Sequence, residues 1–368
     1  MIQNKAYKIR IYPNKEQKQK INSNIGASRF IYNHFLDKKI NQYKDTKTSL
    51  TYNQCSAELI QLKKDDNYNW LKDNDSTSLQ QSLKNLDMGF KNFFKRGNKG
   101  FPKFKSKHKA TLSYRITMSI KIQNNTLKIP KVGALKSKHT FDLSVIHKIN
   151  NVTISKSKSN KYYASISCEV EVKTKPKTNQ DVGIDLGIKE LATLSTKEVV
   201  PNPKYYRKYE DQLKRIQRRF SKTKKGSCNR EKMRIKLSRK YEKIRNSRID
   251  YIHKFTSYLI NSFDTIVIED LSVSEMLQNH KLAKSIADAS FFEIRRQLQY
   301  KTDWYNKSLI VIDKWFPSSK KCSCCGNIKN DLTLEDRTYE CSNCGIIIDR
   351  DYNASINIKR VGMTQLAY

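Results

Sequence analysis

The sequence contains no apolar run approaching the ~18 residues needed to span a bilayer, and no apolar segment follows its first lysines. We therefore expect no signal peptide and no membrane partner. Acidic residues are also scarce, with 35 Asp and Glu against 72 Lys and Arg, a formal net charge of +37. Such a chain needs a polyanion, and nucleic acid is the first candidate, with an anionic membrane surface as the alternative. These features predict a cytoplasmic protein.

The 368 residues can bury a large core, and two or more lobes are expected. Alternating residues at 1–12 indicate a first strand, and apolar spacings of four and seven from about Lys15 to Phe93 indicate a helical lobe. Short strands between 111 and 172 indicate a small barrel or sandwich, which the first strand would join. Residues 173–180 have the composition of a linker. Two basic amphipathic helices are predicted within 204–248, separated near Gly226.

A basic and aromatic stretch covers residues 90–109, with eight Lys or Arg, five Phe and no acid. Phe101, Lys103 and Lys105 lie in its centre. Aromatic side chains stack on bases and lysines hold phosphates, so the stretch is a candidate nucleic-acid contact, although many charge runs are simply solvated faces.

One carboxylate, Asp185, lies between Gly183 and Gly187 on a short apolar strand. Burying a charge there is costly unless it is paired or holds a metal. The alternative is a solvated aspartate at the end of a strand.

Two further acids lie at the edges of predicted buried elements. Glu269 ends the apolar run 265–268, and Asp351 begins a short helix that is expected to stop before Gly362. Asp270 and Asp349 are neighbouring alternatives, and Glu269 or Asp351 could instead be a capping residue. Converging carboxylates in a protein that binds phosphodiesters can hold two Mg²⁺ ions about 3.5–4 Å apart for in-line hydrolysis. We therefore predict Asp185 as the bridging ligand, completed by Glu269 and Asp351.

Five of the eight cysteines cluster between 322 and 344. They form two C-x-x-C-Gly knuckles, separated by fifteen residues, which is a spacing typical of a structural four-cysteine Zn²⁺ site. Aligning the knuckles places Cys324 opposite Asn343, outside the ligand set. Disulfides are the alternative. The predicted zinc ligands are Cys322, Cys325, Cys341 and Cys344.

Motifs over nearly the whole chain resemble the TnpB (OrfB) family of insertion-sequence proteins, relatives of type V CRISPR effector nucleases. The resemblance is carried by segments 5–14, 28–33, 79–81, 100–105, 183–187, 268–271 and 349–354, and by both knuckles.

The resemblance implies a multi-lobe α/β fold. A wedge β-barrel would comprise 1–12 and 99–180, and a helical recognition lobe would be inserted at 13–98. An RNase H-like nuclease domain of RuvC type would comprise 181–318 and 349–368. A zinc ribbon that binds target nucleic acid would be inserted at 319–348. The catalytic residues of this domain would be Asp185, Glu269 and Asp351.

The resemblance also implies an RNA-guided DNA endonuclease in a prokaryotic cell, associated with the nucleoid when bound to DNA. It would bind a transposon-derived guide RNA and double-stranded target DNA, and would act as a monomer in the RNA complex. Contacts to a short target-adjacent motif are expected from Gln80, Gln81, Lys84, Ser113 and Tyr114.

Two other activities suit the same architecture. One is an RNA-guided repressor without cleavage, although such a protein would be expected to lack an acidic residue that this chain retains. The other is a strand-joining transposase, whose chemistry also uses three carboxylates and two metal ions. A zinc-ribbon transcription factor is a more distant reading, since a short ribbon needs neither this length nor the acidic motifs.

Overall fold

The computed structural model describes residues 1–95, 100–107, 111–333 and 335–366. They belong to two compact units, Met1–Glu171 and Val172–Tyr368. Residues 96–99 and 108–109 of the basic and aromatic stretch lie outside the described residues, as does residue 334 of the predicted zinc module. Within the described ranges, none of the helices combines the length and apolarity that a bilayer span requires.

The first unit combines a sheet with a group of helices. Its elements are β1 (Ile2–Tyr12), α1 (Lys15–Thr46), α2 (Tyr52–Leu62), a 3-10 helix (Asp66–Asp73), α3 (Ser76–Phe94), β2 (Leu112–Ile116), β3 (Lys121–Gln123), β4 (Thr126–Ile129), β5 (Gly133–Lys138), β6 (Ile146–Lys156) and β7 (Tyr162–Glu171).

The seven strands pair in the order β2-β6-β7-β1-β5-β4-β3, all antiparallel. Because β1 pairs with both β5 and β7, the first strand joins the later strands across the inserted helices, which confirms that prediction. Among the described residues no pairing joins β2 to β3, so hydrogen bonding leaves the sheet open where a closed barrel was expected.

The helices of the first unit begin at polar caps. Asn14, Thr51 and Asp75 each accept a hydrogen bond from a backbone N–H in the first turn of α1, α2 and α3. Behind these caps, an apolar core forms between the three helices, with Phe35 and Leu79 fully buried in it. The apolar spacings of four and seven in the sequence therefore reflect the packing of side chains into this core.

The second unit contains a mixed sheet, a set of helices and a small hairpin. Its elements are β8 (Asp181–Leu186), β9 (Glu190–Leu194), β10 (Val199–Pro201), α4 (Tyr205–Ser221), α5 (Cys228–Ser262), β11 (Thr265–Glu269), α6 (Val273–Met276), α7 (Ala283–Ala289), α8 (Phe291–Tyr305), β12 (Ser308–Ile312), β13 (Thr338–Glu340), β14 (Ile347–Asp349) and α9 (Arg350–Leu366).

The five-stranded sheet of this unit has the order β10-β9-β8-β11-β12, in which β11 runs parallel to both β8 and β12. On one face, Ile184 and Ile268 pack with α5 and α8 residues such as Leu259 and Leu298. On the other, Val267 and Ile312 pack with Ile358 of α9. Helices cover both faces, which is why β11 reads as a continuous apolar run.

Helix α9 continues through Gly362 to Leu366, so the prediction that it stops before this glycine was wrong. A Cβ at Gly362 would lie 2.3 Å from Cγ1 of Val267. The glycine is needed for close packing of the helix on β11, and it does not end the helix.

The predicted linker belongs with the second unit and is anchored there. The backbone N–H groups of Thr178 and Asn179 donate to the Asp264 carboxylate, which also pairs with the buried Lys307. These bonds hold the pKa of Asp264 down at about 2, with Lys307 the largest cause.

Candidate active site and metal centre

Asp185 and Glu269 lie at the same level of neighbouring parallel strands. Ile184 of β8 is in register with Ile268 of β11, and each carboxylate is the next residue along its strand. Because Ile184 and Ile268 face the α5 and α8 side, both carboxylates face the α9 side. Neighbouring strands lie about 4.8 Å apart, so the two side chains share one edge of the sheet.

Asp351 approaches this edge from α9. The backbone of Ser355 passes over Gly183, where an added Cβ would lie 2.2 Å from the Ser355 carbonyl oxygen. Asp351 is one helical turn before Ser355, about 6 Å along α9, and Asp185 is two residues beyond Gly183, about 6.6 Å along β8. The close contact at Gly183 thus brings the third acid to the first two.

The structure separates each predicted acid from its neighbour. Asp349 is the residue that caps α9, since its Oδ1 accepts the N–H of Tyr352 at 2.9 Å. Asp351 lies within the first turn and is free of that task. Asp270 pairs with Arg295 of α8, so it faces the opposite side of the sheet from Glu269.

The charges of the three acids act on one another. The pKa of Asp185 is raised to about 7, chiefly by burial and next by the negative charges of Glu269 and Asp351, against a smaller opposing effect of Arg350. Burial also raises the pKa of Glu269, opposed by a hydrogen bond from Ser318. A bound cation would relieve this repulsion, and carboxylate oxygens are the ligands that Mg²⁺ prefers.

Basic groups contact the third acid. Arg350 donates to Asp351 Oδ1 from Nη2 at 3.0 Å and from Nε at 3.2 Å, and Arg337 Nη1 lies 3.9 Å from Oδ2. The three carboxylates are not gathered as tightly as the cysteines. Over the described ranges, the group of His, Cys, Asp or Glu side chains close enough to share a metal ion is the cysteine cluster, whose sulfur atoms all lie within 4.8 Å of one another.

The cysteine cluster contains Cys322, Cys325, Cys341 and Cys344. Cys322 Sγ lies 3.6 Å from Cys344 Sγ, and Cys325 Sγ lies 3.6 Å from Cys341 Sγ. Four thiolates around a tetrahedral ion with 2.3 Å bonds would be roughly 3.8 Å apart, so the cluster fits Zn²⁺. All eight cysteines, each in a described segment, are free thiols, and Cys324 is exposed and outside the cluster.

Four of the predicted nucleic-acid contacts line one cleft of the first unit. Gln81 of α3, Lys105, and Ser113 and Tyr114 of β2 surround a cavity of about 510 Å³. The Nζ of Lys105 lies 3.6 Å from the ring centroid of Tyr32.

Two buried hydroxyls in this cleft, Ser28 Oγ and Tyr114 Oη, have no hydrogen-bond partner among the described residues. Burial raises the pKa of Tyr114, so its hydroxyl stays protonated. The cleft therefore offers polar groups to a ligand.

The other predicted contacts lie elsewhere. Gln80 and Lys84 are exposed on α3 but do not line the cleft. Phe101 is 44% exposed and packs edge-on against Phe90 and Phe93, each with ring centroids 5.4 Å away. Lys103 is exposed.

Sequence reasoning missed several residues of both sites. Arg29 and Arg115 line the cleft; Arg29 lies within the segment 28–33, and Arg115 follows Tyr114. Ser318, whose Oγ donates to Glu269 Oε1, lies four residues before the first cysteine of the first knuckle. Proximity in sequence to a recognised motif was the available signal in each case.

Comparisons with known proteins agree with this architecture. The family described as "Probable transposase" matches residues 165–280, "Cas12f1-like, TNB domain" matches 291–358, and a "Helix-turn-helix domain" matches 1–48. One solved chain, from "Cryo-EM structure of the Cas12f1-sgRNA-target DNA complex", shares the fold with a TM-score of 0.53 at 14% identity, covering 97% of this chain and 99% of that one.

Two curated relatives extend over almost the full length. A "Putative RNA-guided DNA endonuclease" of Streptomyces pristinaespiralis is 37% identical over 99% of this chain and 90% of its own. "Putative RNA-guided DNA endonuclease InsQ" of Escherichia coli (strain K12) is 31% identical over 98% of this chain and 93% of its own. The chain therefore belongs to the TnpB (OrfB) family of IS605-type insertion sequences.

Proposed function

We propose that this protein is an RNA-guided DNA endonuclease whose nuclease centre is formed by Asp185, Glu269 and Asp351. The observation that carries the proposal is the convergence of three carboxylates, two from neighbouring parallel strands and one from α9, on one edge of a sheet. The relatives named for this activity, which match nearly the whole chain, support it. The mixed five-stranded sheet with α9 across one face supports an RNase H-like domain of RuvC type.

The residues of this chain would hold two Mg²⁺ ions, with Asp185 as the shared ligand. When bound, the ions would supply an activated water and stabilise the leaving 3′ oxygen of the cut phosphodiester. Asp185 and Glu269 are positioned by strand register, and Asp351 by the packing of α9 on Gly183. The pKa of Asp185 near 7 means that a cation must compete with a proton there at neutral pH.

We assign the cysteine cluster to one structural Zn²⁺, and the cleft of the first unit to the target-adjacent motif. Gln81, Lys105, Ser113 and Tyr114 would contact that motif, and the unpartnered hydroxyls of Ser28 and Tyr114 favour a polar ligand. The net charge of +37 serves the guide RNA and the target DNA together. The domain ranges predicted from the sequence, and a monomeric RNA complex, are further elements of this proposal.

Purification of the full chain, expressed with its flanking locus, tests the proposal. Sequencing the copurified RNA should identify a guide, and a matching linear DNA should be cut in Mg²⁺ but not without divalent cations. Asp185→Ala should abolish cleavage while RNA binding is retained. Specific cleavage by an RNA-free preparation, or unimpaired cleavage by Asp185→Ala, would refute the proposal. Joined DNA products would favour a strand-joining transposase, and target binding without any cut would favour a repressor.

The electrostatic component has its own measurement. Affinity for guide and target should fall with rising salt, with a log–log slope of roughly −0.7 to −0.9 per neutralised phosphate. A nearly salt-independent affinity would contradict it.

A further inference from the structure

Ser318 links the candidate nuclease centre to the chain that leads into the cysteine cluster. Its side chain is buried, and its Oγ–H donates to Oε1 of Glu269. Ser318 lies six residues after the end of β12 and four before Cys322. A single short segment therefore carries both a donor to one acid and the first thiol of the cluster.

Side chains of helix α9 form hydrogen bonds with the backbone of this segment. Asn357, 2% exposed, donates through Nδ2 to the carbonyl oxygens of Ser318 at 2.9 Å and of Lys321 at 2.6 Å. Asn353, fully buried one turn earlier, donates to the Lys321 carbonyl at 2.8 Å and accepts the N–H of Ser323 at 2.8 Å.

A third residue of α9 also bonds to the backbone of this segment. Arg360 Nη2 donates to the carbonyl oxygen of Ser323 at 2.8 Å. Spacings of four and three residues place Asn353, Asn357 and Arg360 on one helical face. Buried amides that satisfy backbone groups in this way fix one geometry, because any other would leave polar groups unpaired. The helix that brings Asp351 to the site thus also fixes the position of Ser318.

We propose that Ser318 is a positioning residue for Glu269, and that the first cysteine knuckle acts on the nuclease centre through the segment 318–323. The proposal rests on the function proposed above, in which Glu269 is a metal ligand. The Ser318 hydroxyl holds one carboxylate oxygen and leaves the other free to bind a cation.

The direct test measures Mn²⁺ binding to the full zinc-loaded chain by electron paramagnetic resonance, for wild type, Ser318→Ala, Ser318→Thr, Ser319→Ala and Glu269→Gln. Loss of an outer-shell partner weakens metal affinity by about 10- to 100-fold. We expect that loss for Ser318→Ala, with zinc content unchanged. Ser318→Thr should restore part of the affinity, because it keeps the hydroxyl. The neighbouring Ser319→Ala should bind like wild type.

The Glu269→Gln and Ser318→Ala variants distinguish an error in the proposed metal site from an error in the role of Ser318. If Glu269→Gln binds Mn²⁺ as wild type does, the proposed metal site is wrong. If Glu269→Gln loses binding while Ser318→Ala has wild-type affinity, only the positioning role of Ser318 is wrong.

Coupling to the first knuckle is tested by a double-mutant cycle with Cys325→Ser, and with Asn357→Ala as a second variant that keeps all four thiols. Each should weaken Mn²⁺ binding in the wild-type background and have little further effect in Ser318→Ala, because the two changes act along one connection. Full additivity of the losses, or no loss from either variant alone, would overturn the coupling.

Discussion

Gly183 of β8 lies directly beneath Ser355 of α9, so close that a Cβ on the glycine would lie 2.2 Å from the Ser355 carbonyl oxygen and 2.4 Å from the Lys359 nitrogen. Both obstructing atoms belong to the backbone and cannot rotate away. The distance between α9 and β8 is therefore set by the absence of a side chain at this one position. Because Asp351 lies one turn along the same helix, this contact also sets its distance from Asp185.

Gly183→Ala should accordingly damage the site without touching a carboxylate. The added methyl group would push α9 away from the sheet. We expect the free energy of unfolding to fall by about 1–3 kcal/mol or more, as it does when a core is overpacked. The substitution should also weaken Mn²⁺ binding, since Asp351 moves with the helix. Chemical denaturation and Mn²⁺ titration would measure both effects.

Gly26→Ala is the matched control. Apart from its chain neighbours and the backbone of α1 itself, an added Cβ at Gly26 would have no heavy atom within 4 Å. Alanine is also the better helix former, so this variant should be equal to or more stable than wild type. Equal behaviour of the two alanine variants would contradict the packing argument.

Asp185 should make the metal-free protein less stable as pH rises. Its folded-state pKa of about 7 lies above its ordinary value of 3.8. Between these values the folded state retains a proton that the unfolded state has lost, so the free energy of unfolding falls across this window. Asp185→Asn removes the penalty. In buffer without divalent cations it should be more stable than wild type by up to about 4 kcal/mol at pH 8, and by less than half of that at pH 5.

Denaturant titrations at the two pH values would measure this difference. Asp181→Asn makes the same chemical change at the start of the same strand, and should leave the pH dependence of wild type intact. Parallel pH dependence of wild type and Asp185→Asn would show that the carboxylate is not buried as described. Added Mg²⁺ should reduce the difference in stability between wild type and Asp185→Asn, because it should stabilise wild type alone.

Substitutions of Asp349 and Asp351 should have different effects, one on stability and the other on cleavage, although the residues are only two positions apart. Asp349→Ala removes the cap of α9 and should cost about 1 kcal/mol of stability, with cleavage largely retained. Asp351→Asn keeps the shape of the side chain but loses the charge, and should reduce cleavage to background with little loss of stability. A melting curve and a cleavage time course for each variant would test the assignment; the reverse pattern would exchange the two roles.

The two knuckles allow a thiol of the cysteine cluster to be compared with a thiol outside it. Cys341→Ser should lose the bound zinc, because Cys341 Sγ is one of four thiols within 4.8 Å of one another. Cys324→Ser removes an exposed thiol outside the cluster, and should keep one zinc per chain. Native mass spectrometry would count the ion. Retention of zinc by Cys341→Ser, or its loss from Cys324→Ser, would mean that the ligand set is wrong.

Local patterns in the sequence predict most of the helices and strands and the residue types of both candidate sites. Alternation located β1, a continuous apolar run located β11, and apolar spacing located the long helices. The repeat of C-x-x-C-Gly selected four cysteines of five, and these are the four that lie together in the structure. These features depend on neighbours within a few residues, so a local pattern is enough to specify them. The helix break near Gly226 was predicted for the same reason, since Ser227 caps α5.

Which acids share one face of the sheet depends on how the strands and helices pack. Both faces of β11 are covered, so its apolar run has no alternation to distinguish the side of Glu269 from that of Asp270. Gly362 looked like a helix end, because a glycine that admits a close neighbour has the same letter as one that ends a helix. The hydrogen bond from Ser318 to Glu269 joins residues 49 apart, a distance over which no local pattern carries information. Such relations exist only once the strands are in register and α9 lies across them.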